Sequence, residues 1–260
     1  MVAGTKGSTG PVHDWVPTRF KSKNAQGAPK AEKAKAKRAE KPKGSGKPKQ
    51  PAREYTLGEE IANSITHGVG ALLAIAAIPL CVVTAVGSGN GYALAAAIIY
   101  SVFMLLEYVM STLYHALHAE KAKRVFKVLD HSFIYLFIAA CYTPYCLVTL
   151  MADGGVYLCV FVWVVAIAGV AAEAFWTYRP RWISAVLYLL LGWSVVWFVP
   201  TLFTLLEPAG FWLLFIGGVC YSIGCVFYVL KKIPYMHTVF HVWILAGSVC
   251  QFLSICLYVL

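Results

Sequence analysis

Three histidines and one aspartate carry the chemistry this sequence is equipped for. His237 and His241 are four residues apart, which on a helix stacks them on one face with about 6 Å of rise between them, suited to gripping one ion. His115 lies at the end of one apolar run and Asp130 opens the next. Neutral imidazole is a good Zn²⁺ ligand, and three of them leave a fourth tetrahedral position for water, as catalytic sites do. Zinc in such a site would lower the pKa of its water to roughly 7. The segment His237-Thr238-Val239-Phe240-His241 lacks the Glu that follows the first His in soluble metalloproteases. A base must come from elsewhere, and Asp130 is the candidate, touching the water or orienting it.

Other polar residues cluster around these four. Ser111 stands one helical turn before His115, and Glu107 one turn before Ser111, so the three share a face and Ser111 could bind the water or a substrate carbonyl. Glu107 fits a catalytic role and a packing role as a buried, protonated carboxyl equally well. Glu60, Asn63 and His67, spaced i, i+3 and i+7, share a face of their own and are supporting candidates. Glu173, close to Arg179, is expected to form a structural pair with it. His118 and His131 flank a basic loop and are expected to be solvated at the interface.

These residues meet only if the chain crosses a membrane in a particular way. Of the 260 residues, 59% are hydrophobic and 13% charged, about half the charged share of a soluble domain, which excludes an ordinary soluble globule. From residue 68 onward, runs of about 20 apolar residues, the length a helix needs to span hydrocarbon, alternate with short polar turns. Seven such cores are expected: Gly68 to Val86, Tyr92 to His115, Ser132 to Met151, Val156 to Trp176, Trp182 to Leu206, Phe211 to Leu230 and Thr238 to Leu260. Within them the acidic residues are Glu107 and Glu173, and there is no Lys or Arg. Thr56-Leu57-Gly58-Glu59 matches a capping box, predicting a short interfacial helix before the first span. Pro144, inside the third, is expected to bend it. The eight cysteines lie in apolar runs and read as small membrane-helix residues, with no bridges or metal ligation.

Basic residues set the direction. Lys121, Lys123, Arg124 and Lys127 fall between spans two and three, Arg179 and Arg181 between four and five, and Lys231 and Lys232 between six and seven. The other three loops have none, which predicts a cytoplasmic N-terminus and a C-terminus outside. On that topology His115, Asp130 and the His237/His241 pair share one layer near the cytoplasmic face. Residues 1–53 hold 14 basic and 3 acidic side chains, a net +11 on a body that is close to neutral. They are expected to form a disordered basic tail held near an anionic leaflet. With few aromatics and no recognisable module, the tail is not expected to bind nucleic acid specifically.

Glu60-x-x-Asn63-x-x-Thr66-His67, Ser111-x-x-x-His115, Asp130-His131, Tyr142-Thr143-Pro144 and His237-x-x-x-His241, in that order, resemble the motifs of the hemolysin III proteins. These are bacterial relatives of the progestin and adipoQ receptors and, more distantly, of alkaline ceramidases. The resemblance covers residues 54 to 260. It implies an all-α bundle in the bacterial inner (cytoplasmic) membrane, zinc held by His115, His237 and His241, Asp130 acting on the water and Ser111 in support. The family name implies cytolysis or a pore, whereas the site resembles that of lipid amidases. The leading expectation is a zinc-dependent hydrolase of lipid amide or ester bonds. The alternatives are a lipid receptor with structural zinc and a cytolytic channel. Oligomeric state has no signal in the chain.

Overall fold

A computed structural model describes residues 54–260; the expectations for the basic tail lie outside this range. The described residues form helices and short turns with no strand. Seven of their helices are long and apolar enough to cross a membrane. α1 (Leu57–Gly87), α2 (Gly91–Ala116), α3 (Glu120–Pro144) and α4 (Gly155–Trp176) form the first four spans. α5 (Arg181–Gly192) and α6 (Val199–Leu205) together make the fifth, and α7 (Pro208–Val229) and α8 (Met236–Tyr258) complete the bundle.

The capping box at the start of α1 is present in full. Glu59 N–H donates to Thr56 Oγ1 at 3.3 Å, and Thr56 N–H donates to Glu59 Oε2 at 2.9 Å. The helix it starts runs unbroken to Gly87, so the expected separate interfacial helix is the first turns of the first span. The other oxygen of Glu59 accepts from the backbone N–H of Tyr235 at 2.9 Å. One carboxylate thereby caps α1 and anchors the turn that leads into α8, where Tyr235 takes a left-handed conformation (φ 61°).

α1 and α2 pack through small residues: Ala74, Ala77, Cys81 and Ala85 on one, Ala93, Ala96 and Ala97 on the other, all buried. Small side chains let apolar helices approach closely, which replaces the hydrophobic drive they lack in lipid. At Gly70 a Cβ would come within 2.5 Å of the Tyr108 ring, so only glycine fits. All eight cysteines are free.

Two spans depart from simple helices. α3 ends its α geometry at Pro144, whose ring cannot supply an N–H, and continues as a π-helical turn over Tyr145–Thr149. The fifth span, expected as one helix from Trp182 to Leu206, is interrupted by a 3₁₀ stretch at Trp193–Phe198. Backbone groups freed inside a membrane need partners, and the Tyr142 hydroxyl supplies them. It donates to Gly192 O at 2.6 Å and accepts from the Val195 N–H at 2.9 Å and from Ser194 Oγ at 3.2 Å.

Candidate metal centre

His115 from the last turn of α2 meets His237 and His241 from the first turns of α8. One ligating nitrogen from each lies within 4.8 Å of the other two, and all three side chains are buried, at 1%, 7% and 1% exposure. Ring centroids are 5.2, 5.2 and 4.6 Å apart, so the three imidazoles surround a common point.

The partners of these rings assign their protons. His115 Nδ1 lies 2.6 Å from Glu60 Oε2, a carboxylate acceptor, so Nδ1 carries the hydrogen and Nε2 is bare. Lys123 Nζ holds the other oxygen of Glu60 at 2.5 Å, which fixes that carboxylate as an acceptor. His241 Nδ1 is 3.2 Å from Asn63 O and 3.2 Å from Thr66 Oγ1. The Thr66 hydroxyl points its own hydrogen at Ala62 O (2.9 Å), so here too Nδ1 donates and Nε2 is bare. Thr238 Oγ1 donates to Asn63 Oδ1 at 2.6 Å and locks Asn63 in place.

The result fits a dication. His115 Nε2 is buried with no hydrogen-bond partner. His241 Nε2 faces His237 Nε2 at 3.2 Å, close to the roughly 3.4 Å that separates two nitrogens on one tetrahedral zinc. A proton on His237 could bridge this pair, but it would leave His115 Nε2 bare; one cation satisfies all three. Imidazole ligands whose second nitrogen donates to a carboxylate or a carbonyl are the usual support of such sites.

Other residues expected at the site divide into groups. Glu60 and Asn63 are the outer partners of the ligands. His67 stacks on His241 with centroids 3.5 Å apart, meets Tyr108 edge-on at 5.1 Å, and has no partner at either nitrogen. Ser111 is buried with an unpartnered hydroxyl, and Glu107 is 3% exposed with Oε2 unpartnered. Asp130 is buried on α3, and its ion-pair neighbour is His131 Nε2 at 3.9 Å. His131 is not the solvated residue expected: it is buried, with Nδ1 3.6 Å from Glu173 Oε2. Glu173 pairs with Arg179 as expected, and Arg179 also donates to Tyr135 OH at 3.1 Å. His118 is exposed.

Tyr55 was not foreseen, and nothing in its local sequence marks it. Its ring stacks on His237 at 5.1 Å and meets His115 edge-on at 5.9 Å, covering the site at the end of the bundle that carries the basic loops. Arg181 Nη2 donates to its hydroxyl at 2.5 Å. Burial pushes the phenol up to about 12 against the opposing pull of Arg181, while the charges of Glu60 and Asp130 add to the rise. The phenol is therefore neutral at physiological pH, and Asp130 is near enough for its charge to act there.

A cavity of about 160 Å³ opens beneath the histidines, its wall reaching from His67 and Glu107 past Tyr142 and Phe240 to Leu202 and Phe211 at the far end. The wall is overwhelmingly apolar. A groove on the lipid-facing surface between α4 and the fifth span borders the cavity, with Leu158, Leu189 and Trp193 lining both.

The chain is similar in sequence to known proteins. The haemolysin-III related family matches residues 55–252. The hemolysin-3 homolog of Bacillus subtilis is 40% identical over 204 residues, covering 78% of this chain and 96% of the relative. Hemolysin-3 of Bacillus cereus is 40% identical over 202 residues, 78% of this chain and 92% of the relative. The human monocyte to macrophage differentiation factor is 24% identical over 209 residues, 78% of this chain and 85% of the relative. No solved structure matches the chain. Seven membrane-spanning helices and these bacterial relatives make it an integral protein of the bacterial inner membrane, and the chain belongs to the haemolysin-III related family.

Proposed function

We propose that this protein is a zinc-dependent intramembrane hydrolase that cleaves an amide or ester bond in a bilayer lipid, with its site at the cytoplasmic side. The observation that carries this is the trio of nitrogens on His115, His237 and His241, two of them bared by donation from the opposite ring nitrogen to Glu60 and Asn63. A zinc ion bound there supplies Lewis acidity and lowers the pKa of a water. Three protein ligands leave room for that water, whereas structural zinc sites close with four.

The chain's own residues do the rest. Asp130 accepts a proton from the attacking water as its oxygen bonds to the carbonyl carbon, then gives the proton to the departing nitrogen or oxygen as the C–N or C–O bond breaks. Ser111, whose hydroxyl has no partner in the protein, donates to the carbonyl oxygen. The apolar cavity holds part of the lipid's hydrocarbon: its volume is near that of cavities which take one benzene-sized molecule, so the rest of the chain runs out through the groove beside Trp193. The basic side chains of Lys121 to Lys127 in the first turns of α3, of Arg179 and Arg181, and of Lys231 and Lys232 lie at the end where α1 begins, which supports a cytoplasmic site and an outward C-terminus.

A receptor with structural zinc shares the metal centre but has no use for Asp130 as a base. A pore needs a polar stripe across the membrane, while the cavity wall below Glu107 is apolar apart from hydrogen-bonded side chains. The deciding experiment incubates purified, zinc-loaded protein with a panel of lipid amides and esters and follows product by mass spectrometry. Turnover that Asp130→Ala abolishes while zinc content is unchanged supports the hydrolase; no turnover of any lipid, with Asp130→Ala neutral for ligand binding, leaves the receptor. Leakage of liposomes that survives loss of all three histidines would overturn both.

A further inference from the structure

Two polar side chains in the cavity wall lack a hydrogen-bond partner in the protein, and one of them is far from the histidines. The other polar groups there are occupied. Gln251 donates to Leu214 O at 3.1 Å and accepts from Tyr145 OH at 3.3 Å, Tyr221 OH lies 3.0 Å from Ser248 Oγ, and Tyr188 OH donates to His131 O at 3.2 Å. Trp193 donates to Ser222 Oγ at 2.9 Å, and Tyr142 closes the break in the fifth span. The exceptions are His67, which lies against His241, and Glu107.

Glu107 precedes His115 by eight residues, about 12 Å along the axis of α2, so it cannot touch a bond held at the histidines. It is 97% buried, and no Lys or Arg lines the cavity with it. A polar group in such a place is unfavourable unless it is hydrogen-bonded. A water would need two to four polar partners, and in the cavity wall every polar group but His67, which lies against His241, is already satisfied, while Ser111, one turn further along α2, offers a single hydroxyl. What remains is a partner brought by the occupant of the cavity.

We propose that Glu107 is a specificity-determining residue that accepts a hydrogen bond from a hydroxyl or amino group on the ligand's hydrocarbon chain, about two helical turns from its carbonyl end. This deepens the function proposed above by naming the substrate class: a lipid with a donor partway along its chain. It rests on the cavity holding lipid and not on hydrolysis. Sites built around a buried hydrogen bond discriminate strongly against analogues lacking the group, because the unmatched polar atom is then left bare.

The test uses full-length protein in lipid nanodiscs and ether-linked octadecyl lipids, which cannot be hydrolysed. One series carries a hydroxyl at successive chain positions, a second an amine, and a third no substituent. Binding is read by quenching of tryptophan fluorescence, since Trp193 lines the cavity. We expect one position, or two adjacent ones, to bind about tenfold tighter than the plain chain. Glu107→Leu should erase that preference, and Glu107→Gln, whose carbonyl still accepts, should keep it for the hydroxyl series. An amine preferred over the hydroxyl and lost in Glu107→Gln identifies the donor as an ammonium. A flat profile in the unmodified protein, or a preference that persists in Glu107→Leu, overturns the proposal; the first needs no variant to fold. Because the probes are not cleaved, failure of the hydrolase assignment and failure here are separate results.

Discussion

Glu60 Oε2 lies 2.6 Å from His115 Nδ1, and that contact decides which nitrogen of the ring faces His237 and His241. A carboxylate that accepts from the ring in this way also raises the basicity of the opposite nitrogen, so its loss should weaken metal binding without removing a ligand. Glu60→Ala is expected to lower zinc affinity by about 10- to 100-fold, and Glu60→Gln by less, because the amide oxygen can still accept from Nδ1–H. Competition with a chromophoric chelator measures both. Equal affinity in Glu60→Ala and the unmodified protein would show that His115 is oriented by packing alone.

Removing the pair on α8 asks a blunter question. The double variant His237→Ala, His241→Ala leaves one imidazole, too few to retain zinc through purification, so metal analysis should find background levels. The unmodified protein should melt at lower temperature after chelation, since binding to the folded state alone stabilises it by about 2.7 kcal/mol when ligand is at 100 times its Kd. The double variant should be insensitive to chelator. A chelator effect of equal size in both would place the relevant ion elsewhere.

Much of this site can be read from the chain because lipid simplifies the problem. Each span must be apolar over its own length, so the seven helices announce themselves, and Lys and Arg in alternate loops put His115, Asp130 and the α8 pair at one end. Tertiary satisfaction is what composition conceals. Trp193–Phe198 is apolar enough to pass for helix, and its break is stabilised by a tyrosine some 50 positions away. His131 sits beside a basic loop in sequence, yet Glu173 from another helix draws it inside. Tyr55 precedes the helix start without any pattern, and its place over His237 depends on Arg181 of α5.

The break in the fifth span gives a third expectation. Tyr142→Phe keeps the ring in the cavity wall and removes the hydroxyl that serves Gly192 O and the Val195 N–H. Leaving buried backbone groups unsatisfied costs about 1–3 kcal/mol each, so the variant should unfold measurably earlier on heating. Its zinc content should not change, as no histidine is touched. An unchanged melting temperature would mean that water or a local shift to regular helix replaces the hydroxyl.

Close packing of α1 on α2 gives a fourth. A methyl group at position 70 would sit 2.5 Å from the Tyr108 ring, which is held by its bond to Ser248 Oγ at 2.7 Å and by its edge-on contact with His67. Gly70→Ala should therefore cost about 1–3 kcal/mol as an overpacked contact, readable as a lower melting temperature. Tyr108→Ala in the same background opens space for the methyl and should recover part of that loss relative to Tyr108→Ala alone. Additive effects of the two changes would rule out the contact as the cause.

Tyr55 ties stability to pH at the alkaline end. Its phenol is pushed up to about 12 in the folded protein from the ordinary value of 10.0, so the folded state keeps the proton that the unfolded chain gives up first. The stabilisation from this shift is fully present below pH 10 and is lost as pH rises through about 12, because ionisation then becomes as easy in the folded state. The melting temperature should accordingly fall across that window, and Tyr55→Phe should flatten the fall while leaving the neutral range nearly unchanged. Arg181 donates to the same hydroxyl, so Arg181→Lys, which keeps the charge but not the geometry, should alter the midpoint of the fall without abolishing it. A profile in Tyr55→Phe that superimposes on the unmodified protein across the whole window would assign the alkaline transition to other groups and leave Tyr55 as a cover over His237 held by stacking alone.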